Sequence, residues 1–140
     1  HIFFVISLNT NIIKPICWNT AIHKLLDKEN EFMPFCNLNS RDELEVAPNA
    51  MTKTFWGENM LLSLIKLKPH TEVPTHRHPH EQVGIVLEGE VQLWIGDEKR
   101  LLKSGDCFIV PSNIDHGANT EDSHTLIADI FSPLREEFIY

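Results

Sequence analysis

Three histidines and a glutamine in the middle of the chain have side chains and spacings that suit a metal ion. His76 and His78 are two residues apart, so in an extended strand both imidazoles would project from one face, and Gln82 keeps the same parity. A divalent ion needs at least one more ligand. His116 is the candidate, because it follows an apolar run and a Pro-Ser-Asn turn that could bring the chain back to the same place.

A histidine pair alone is weak evidence, because such pairs usually lie at the surface and this chain has 8 histidines. Here, however, the pair is accompanied by other residues at fixed distances: Gly89, then Gly105, Pro111 and His116. A motif of several parts that falls on predicted strands arises by chance far less often than one dipeptide. The pattern therefore favours a metal site over surface histidines.

The stretch LIADIFSPLREEF, residues 126–138, contains a second group of side chains suited to chemistry. Asp129 and Phe131 are two apart and would share a face. An inward carboxylate near a metal could act as general acid or base, since burial can raise its pKa. Arg135 could hold a ligand carboxylate by a two-pronged hydrogen bond. On periodicity alone, the alternative is a strand-end Asp129, a core Phe131 and a surface Arg135.

The elements that must position these residues are short strands. From Met60 onward, apolar runs alternate with turn residues, which predicts a small all-β barrel or sandwich over residues 60–140. Residues 1–59 are expected to form an N-terminal arm with a short helix and edge strands. The helix is predicted from the N-cap candidate Thr20 to Phe32, with Pro34 as its stop. The runs are MLLSLIKLKP, QVGIVLEG, EVQLWIGD, KRLLKSGD, CFIVPSN and TLIADIFSP.

The bulk composition limits the partners that can be expected. With 42% hydrophobic and 23% charged residues, and no apolar run near the roughly 20 residues of a membrane helix, we expect one globular domain and no membrane partner. A net charge of -8 argues against nucleic acid, which requires clustered Lys and Arg. Cys17, Cys36 and Cys107 are far apart and odd in number, which favours a reducing cytoplasm. The start lacks a cationic leader and is interpreted as truncated or processed rather than as a signal peptide.

Two segments of the chain resemble the two conserved motifs of the cupin superfamily. In that family the first motif reads H-x-H-x(3,4)-E-x6-G, and here it is HRHPHEQVGIVLEG; the second reads G-x5-P-x-G-x2-H-x3-N, and here it is GDCFIVPSNIDHGAN. The resemblance covers approximately residues 60–132 and implies a double-stranded β-helix, or jelly roll, with a metal inside its mouth. The matching positions are His76, His78, Gly89, Gly105, Pro111, His116 and Asn119.

The chain departs from the family motifs at two positions. Asn113 replaces a glycine, which is a mild change because Asn tolerates the left-handed conformations of turns. Gln82 replaces the glutamate of the first motif, whereas Glu81 has the opposite strand parity and is expected to point away. An amide oxygen can ligate a divalent ion without adding negative charge. The resemblance thus implies His76, His78, Gln82 and His116 as ligands of a strongly Lewis-acidic ion.

Within the cupins, HPHEQ, the Gln ligand and D-x-F-S-P-x-R-E resemble a KdgF-type subgroup associated with pectin and alginate breakdown. This implies conversion of 4,5-unsaturated monouronates to linear keto forms, with Asp129, Phe131 and Arg135 as catalytic residues. The expected cofactor is one divalent transition metal ion (Zn, Ni, Fe or Mn). Two alternatives stay open: a cupin oxygenase, with Glu81 as ligand if the spacing is interpreted differently, and a non-catalytic binding or sensing cupin. We expect a small-molecule substrate and a homodimer.

Overall fold

The computed structural model describes residues 35–140, and the helix expected at residues 20–32 lies outside them. Within this range no helix is long and apolar enough to cross a membrane. The strands are β1 Leu44–Ala47, β2 Ala50–Trp56, β3 Leu61–Leu67, β4 Glu72–His76, β5 Glu81–Glu88, β6 Glu90–Ile95, β7 Glu98–Lys103, β8 Cys107–Val110, β9 His116–Asn119 and β10 Thr125–Ser132, flanked by 3₁₀ turns at Leu38–Ser40 and Glu136–Phe138. They form two antiparallel sheets, one in the order β1-β2-β3-β10-β5-β8 and the other in the order β4-β9-β6-β7.

The predicted all-β jelly roll is confirmed. Each of the six apolar runs overlaps one strand, namely β3, β5, β6, β7, β8 and β10. No apolar run marks β4 or β9, whose sequences EVPTH and HGAN are short and largely polar. These two inconspicuous strands are the ones that carry His76 and His116.

The core lies between the two sheets and follows from period-2 alternation along the strands. In β10, for example, Ile127, Asp129 and Phe131 are buried, whereas Ala128 and Ile130 face outward. Burial of one aliphatic side chain stabilises the fold by roughly 1.5–3 kcal/mol, so the cluster accounts for much of the cohesion between the sheets. Its members are Ala50, Leu67, Val86, Val91, Leu93, Phe108, Val110, Ala118 and Ile127.

Three motif residues adopt backbone conformations with positive φ. Gly89 has φ 75°, and a Cβ there would collide with the carbonyl oxygen of His124. Gly105 has φ 93° and Asn113 has φ 62°, which agrees with the expectation that Asn can replace glycine at this turn. The Asn113 N–H donates to the carbonyl of His78 at 2.8 Å. This bond ties the second motif to the first.

The C-terminal residues are fastened to β2 by a contact that we call the Arg41 clamp. Arg41 donates from Nε to the carbonyl of Thr54 at 2.8 Å and from Nη1 to the carbonyl of Tyr140 at 3.2 Å. Its guanidinium also lies 4.2 Å from the centroid of the Trp56 ring. The Thr54 hydroxyl in turn donates to the carbonyl of Phe138 at 2.6 Å. The clamp therefore fixes the segment that contains Arg135 and Phe138.

Candidate metal centre

The three motif histidines meet at one end of the barrel. His76 ends β4 and is the register partner of His116, the first residue of β9. Their ring centroids are 4.3 Å apart, and the ring of His78 lies 4.9 Å from His116 and 5.8 Å from His76. One nitrogen of each ring lies within 4.8 Å of the others. The chain therefore places three imidazoles where they could hold one ion.

Strand parity does not explain the position of His78, because β4 ends at His76. His78 lies in the following loop, where its carbonyl accepts the backbone bond from Asn113. That loop, rather than a continuous strand, brings the second imidazole to the site. The expectation of a shared strand face was wrong in this respect, although the two rings do converge.

Each of the three rings is held in a fixed orientation by a backbone carbonyl. Each Nδ1 lies at hydrogen-bond distance from a carbonyl, so it carries the proton and leaves the lone pair on Nε2. The Nε2 atoms of His78 and His116 are buried and have no hydrogen-bond partner. A buried acceptor without a partner is costly, and a metal ion would satisfy both atoms. The bonds are His76 to Pro74 at 2.8 Å, His78 to His80 at 2.9 Å and His116 to Ile114 at 2.8 Å.

The electrostatics of the site favour neutral imidazoles. Burial, together with the positive charge of Arg135, lowers the pKa of His78 to about 4. Burial also lowers the pKa of His116, against the effect of its hydrogen bond to Ile114. Neutral imidazole is the form that binds metal, so neither ring must lose a proton first near neutral pH.

Gln82 lies beside the histidines with its side chain buried, whereas the neighbouring Glu81 is exposed. The side chain of Gln82 is hydrogen-bonded to Asp129. An amide can bond to a carboxylate only by donating from its NH₂ group. The amide oxygen of Gln82 is therefore left available as a fourth ligand.

Asp129 is buried in the middle of the six-stranded sheet, at 6% exposure. Its register partners are Ser63 on β3 and Gly84 on β5. A Cβ atom on Gly84 would collide with Asp129 Oδ1 and with the ring of Phe108, so glycine makes room for the carboxylate. Oδ1 has no hydrogen-bond partner. Burial raises the pKa of Asp129 to about 7, although Gln82 and Arg135 act to lower it.

Phe131 and Arg135 lie on the same side of the site as Asp129. The Phe131 ring is buried and meets the His78 ring edge-on, with centroids 5.6 Å apart. The guanidinium of Arg135 lies 5.1 Å from the Phe131 ring and 4.1 Å from that of Phe138. Its side chain is 14% exposed, and Nε donates to Glu137 at 2.7 Å. Arg135 is therefore packed beside the histidines rather than free on the surface.

The residues that line a cavity of about 90 Å³ include His76, Gln82, His116, Asp129 and Phe131. A larger cavity of about 480 Å³ lies between β6, β7 and β8. None of the buried, unpartnered side-chain atoms found among residues 35–140 belongs to a residue that lines the larger cavity. Converging unpartnered groups define a reactive site better than volume does, so the smaller cavity is the candidate site.

The further residues that line this cavity include Thr52, Ser63 and Phe138, which were not predicted from the sequence as site residues. The hydroxyls of Thr52 and Ser63 are buried and lie 2.7 Å apart. Ser63 could have been found, because it occupies an inward position between Leu61 and Leu67, where an apolar residue is expected. Phe138 gives no such signal, because it follows the last strand and reaches the cavity from a 3₁₀ turn.

Comparison with known proteins places the barrel in a family. Residues 63–131 match the family model described as "Cupin domain". Residues 63–131 therefore form a cupin domain, as the motifs indicated, and this range holds the three histidines, Gln82 and Asp129.

Comparisons with individual proteins give more specific information than the family match. Pectin degradation protein KdgF of Dickeya dadantii (strain 3937) is 28% identical over 85 residues, which cover 60% of this chain and 77% of that protein. The structure of KdgF from Halomonas sp. is 28% identical with a TM-score of 0.71 and covers 76% of this chain and 99% of that chain. H2HPP isomerase of Bacillus subtilis is 37% identical over 70 residues, which cover 49% of this chain but only 29% of that protein. The chain is thus similar to KdgF proteins, and these relatives support an enzyme of the cupin type.

Proposed function

We propose that this protein is a metal-dependent enzyme that converts an unsaturated uronate, or a similar small sugar acid, to its linear keto form. The observation that carries the proposal is a cavity lined by His76, His116 and the buried, partly unpartnered carboxylate of Asp129. A nitrogen of the third imidazole, that of His78, lies within 4.8 Å of the other two ligand nitrogens. The relative named as a pectin degradation protein supports a sugar-acid substrate. The relative named as an isomerase supports a reaction without net oxidation.

The residues that would hold the ion are His76, His78 and His116 through Nε2, and Gln82 through its amide oxygen. When bound, the ion would supply Lewis acidity toward an oxygen of the substrate. The histidines contribute orientation, because their Nδ1–H groups are already committed to backbone carbonyls. The neutral Gln82 contributes no charge that would offset that acidity.

The proposed reaction moves protons and breaks one bond. A proton leaves the anomeric hydroxyl, the ring C–O bond breaks so that the anomeric carbon becomes an aldehyde, and the enolate left behind becomes a ketone when its alkene carbon gains a proton. Atoms and electrons balance without an oxidant. Asp129 is the group suited to move these protons, because one carboxylate oxygen is buried without a partner while Gln82 holds the side chain in place.

The substrate carboxylate is assigned to Arg135, and the sugar ring to Phe131. Because Nε of Arg135 already bonds to Glu137, a bound carboxylate would use the remaining guanidinium N–H groups. The flanking rings of Phe131 and Phe138 restrict where the guanidinium can move. The cation also offsets the overall negative charge near an anionic ligand.

The test is to mix metal-loaded protein with 4,5-unsaturated monouronate and to follow the loss of alkene absorbance. We expect acceleration by the loaded protein and little by protein stripped with a chelator. Asp129→Asn should be slow, whereas Asp122→Asn, at an exposed position, should match the wild type. Equal rates with and without protein would contradict the proposal. Metal-dependent oxygen uptake would indicate an oxygenase, and ligand-induced stabilisation without product would indicate a binding module.

A further inference from the structure

Two hydroxyl side chains, those of Thr52 and Ser63, line the cavity of the candidate site from the inner face of the six-stranded sheet. Both residues are almost fully buried, at 1% and 2% exposure. The neighbouring inward positions along β3 are the apolar Leu61 and Ile65. A buried hydroxyl stabilises a fold less readily than an apolar group of the same size. Cohesion of the core alone therefore does not account for a serine at position 63.

The register places Ser63 beside the groups assigned to the reaction. In the pairing of β3 with β10, Ser63 lies directly opposite Asp129, and such residues have Cβ atoms about 4.5–5.5 Å apart. His76 and His116 line the same cavity from strands of the other sheet. A ligand that lies between these imidazoles and Asp129 therefore comes within reach of the Ser63 hydroxyl.

The hydrogen bonds of the two hydroxyls indicate which role Ser63 has. Their oxygens lie 2.7 Å apart, and the Thr52 hydroxyl also lies 3.3 Å from the carbonyl of Leu64. If Thr52 donates to that carbonyl and Ser63 donates to Thr52, both protons are bonded. The reverse direction leaves the Ser63 proton without an acceptor among residues 35–140. The arrangement that satisfies both protons leaves the lone pairs of Ser63 Oγ available to accept a hydrogen bond from a ligand.

We propose that Ser63 is a specificity-determining residue that accepts a hydrogen bond from the hydroxyl at carbon 2 of the sugar ring, an inference that rests on the proposed function. Carbon 5 bears the carboxylate assigned to Arg135, and carbon 2 lies directly across the ring from it. Ser63 lies at the level of Asp129, which is two residues farther from Arg135 along β10 than Phe131, or about 7 Å. The hydroxyl at carbon 2 keeps its bonds during the reaction, so its recognition selects the substrate without entering the chemical step.

The test compares 4,5-unsaturated monouronate with its 2-deoxy and 3-deoxy analogues on the full, metal-loaded chain. The measured quantity is the ratio of kcat/KM for the parent to kcat/KM for each analogue. In Ser63→Ala the ratio for the 2-deoxy analogue should fall about 3–10-fold below the wild-type ratio, as expected for one lost hydrogen bond. The ratio for the 3-deoxy analogue should not change. Intrinsic differences in ligand reactivity cancel, because the same ligands are compared in both proteins.

The controls separate recognition from damage to the fold. Ser63→Ala leaves Thr52 its bond to Leu64, so no donor loses its partner, and circular dichroism and metal content should match the wild type. Ser63→Cys, with a weakly accepting sulfur, should act in the same direction and carries the test if Ser63→Ala does not fold. Thr125→Val removes another buried hydroxyl of the same sheet, one that does not line the cavity, and both ratios should stay at the wild-type values.

A purely structural role of Ser63 would lower kcat/KM for all three ligands equally. Unchanged ratios in folded Ser63→Ala and Ser63→Cys would therefore overturn the inference, while conversion of the parent by the wild type would leave the proposed reaction standing. A change confined to the 3-deoxy ratio would overturn the assignment to carbon 2. Wild-type protein that fails to convert the parent would contradict the proposed function and this inference together.

Discussion

The two halves of the candidate site are held by different kinds of interaction. On the histidine side, each ring is oriented by a backbone carbonyl that belongs to the barrel itself. On the opposite side, Asp129 is positioned by Gln82 and by the gap at Gly84, and Arg135 by packing on aromatic rings and by Glu137. A backbone carbonyl has less freedom to move than a side chain, so the contacts on the Asp129 side rearrange more readily. Metal binding should therefore tolerate changes on the Asp129 side, whereas kcat/KM should fall after changes on either side.

The largest effect is expected on the histidine side. His78→Ala removes a buried ligand nitrogen, so the purified variant should contain little metal and show at least a hundredfold loss of turnover, since even groups that only orient metal ligands are worth 10–100-fold. Elemental analysis and the alkene assay measure the two quantities. His124→Ala is the control, because that side chain is exposed. Stoichiometric metal in His78→Ala would show that the ligand set is wrong.

Asp129→Asn should separate the effect on turnover from the effect on metal binding. The amide has nearly the same shape but cannot move a proton, so turnover should fall by about 10²–10⁴-fold while metal content stays at the wild-type level. The comparison is of rate against bound metal in the same preparation. A variant that lost metal and activity in parallel would mean that Asp129 supports the metal centre instead.

Much of the fold could be predicted from the sequence, because hydrophobic alternation is a local signal. The apolar runs of β5 and β10 can be recognised from their own residues, without knowledge of the strands beside them. The motif spacing predicted that His76 and His116 would meet. The Arg41 clamp could not be predicted, because Arg41 and Tyr140 are 99 residues apart and no pattern connects them. The hydrogen bonds to backbone carbonyls that fix the histidine tautomers depend on loop geometry, so they could not be predicted either.

Gly84→Ala should disturb the Asp129 side without a change of charge. The added methyl group must displace Phe108 or the Asp129 carboxylate, and overpacking of this kind costs about 1–3 kcal/mol. We expect a lower denaturation midpoint, reduced turnover and retained metal. Gly57→Ala is the matched control, because no atom lies within 4 Å of its Cβ position. Equal midpoints for the two variants would show that the sheet relaxes freely around Asp129.

The smallest effect is expected for Arg135→Lys. A lysine keeps the charge but loses the planar fork and its stacking on aromatic rings, so KM for the uronate should rise about tenfold with kcat little changed. Steady-state kinetics separate these parameters. Arg100→Lys, at an exposed position, should leave both unchanged. A fall in kcat at constant KM would place Arg135 in the chemical step rather than in substrate binding.

The Arg41 clamp also limits how far the chain can be truncated without loss of function. A fragment limited to the family match at residues 63–131 would keep every proposed metal ligand, together with Asp129 and Phe131. It would lose Arg135, Phe138 and both ends of the clamp. It would also lose β2 and the buried Ala50, so such a fragment should be less stable than the full barrel and impaired in recognition of an anionic substrate. Retaining residues 35–140 keeps the barrel and the clamp as one piece.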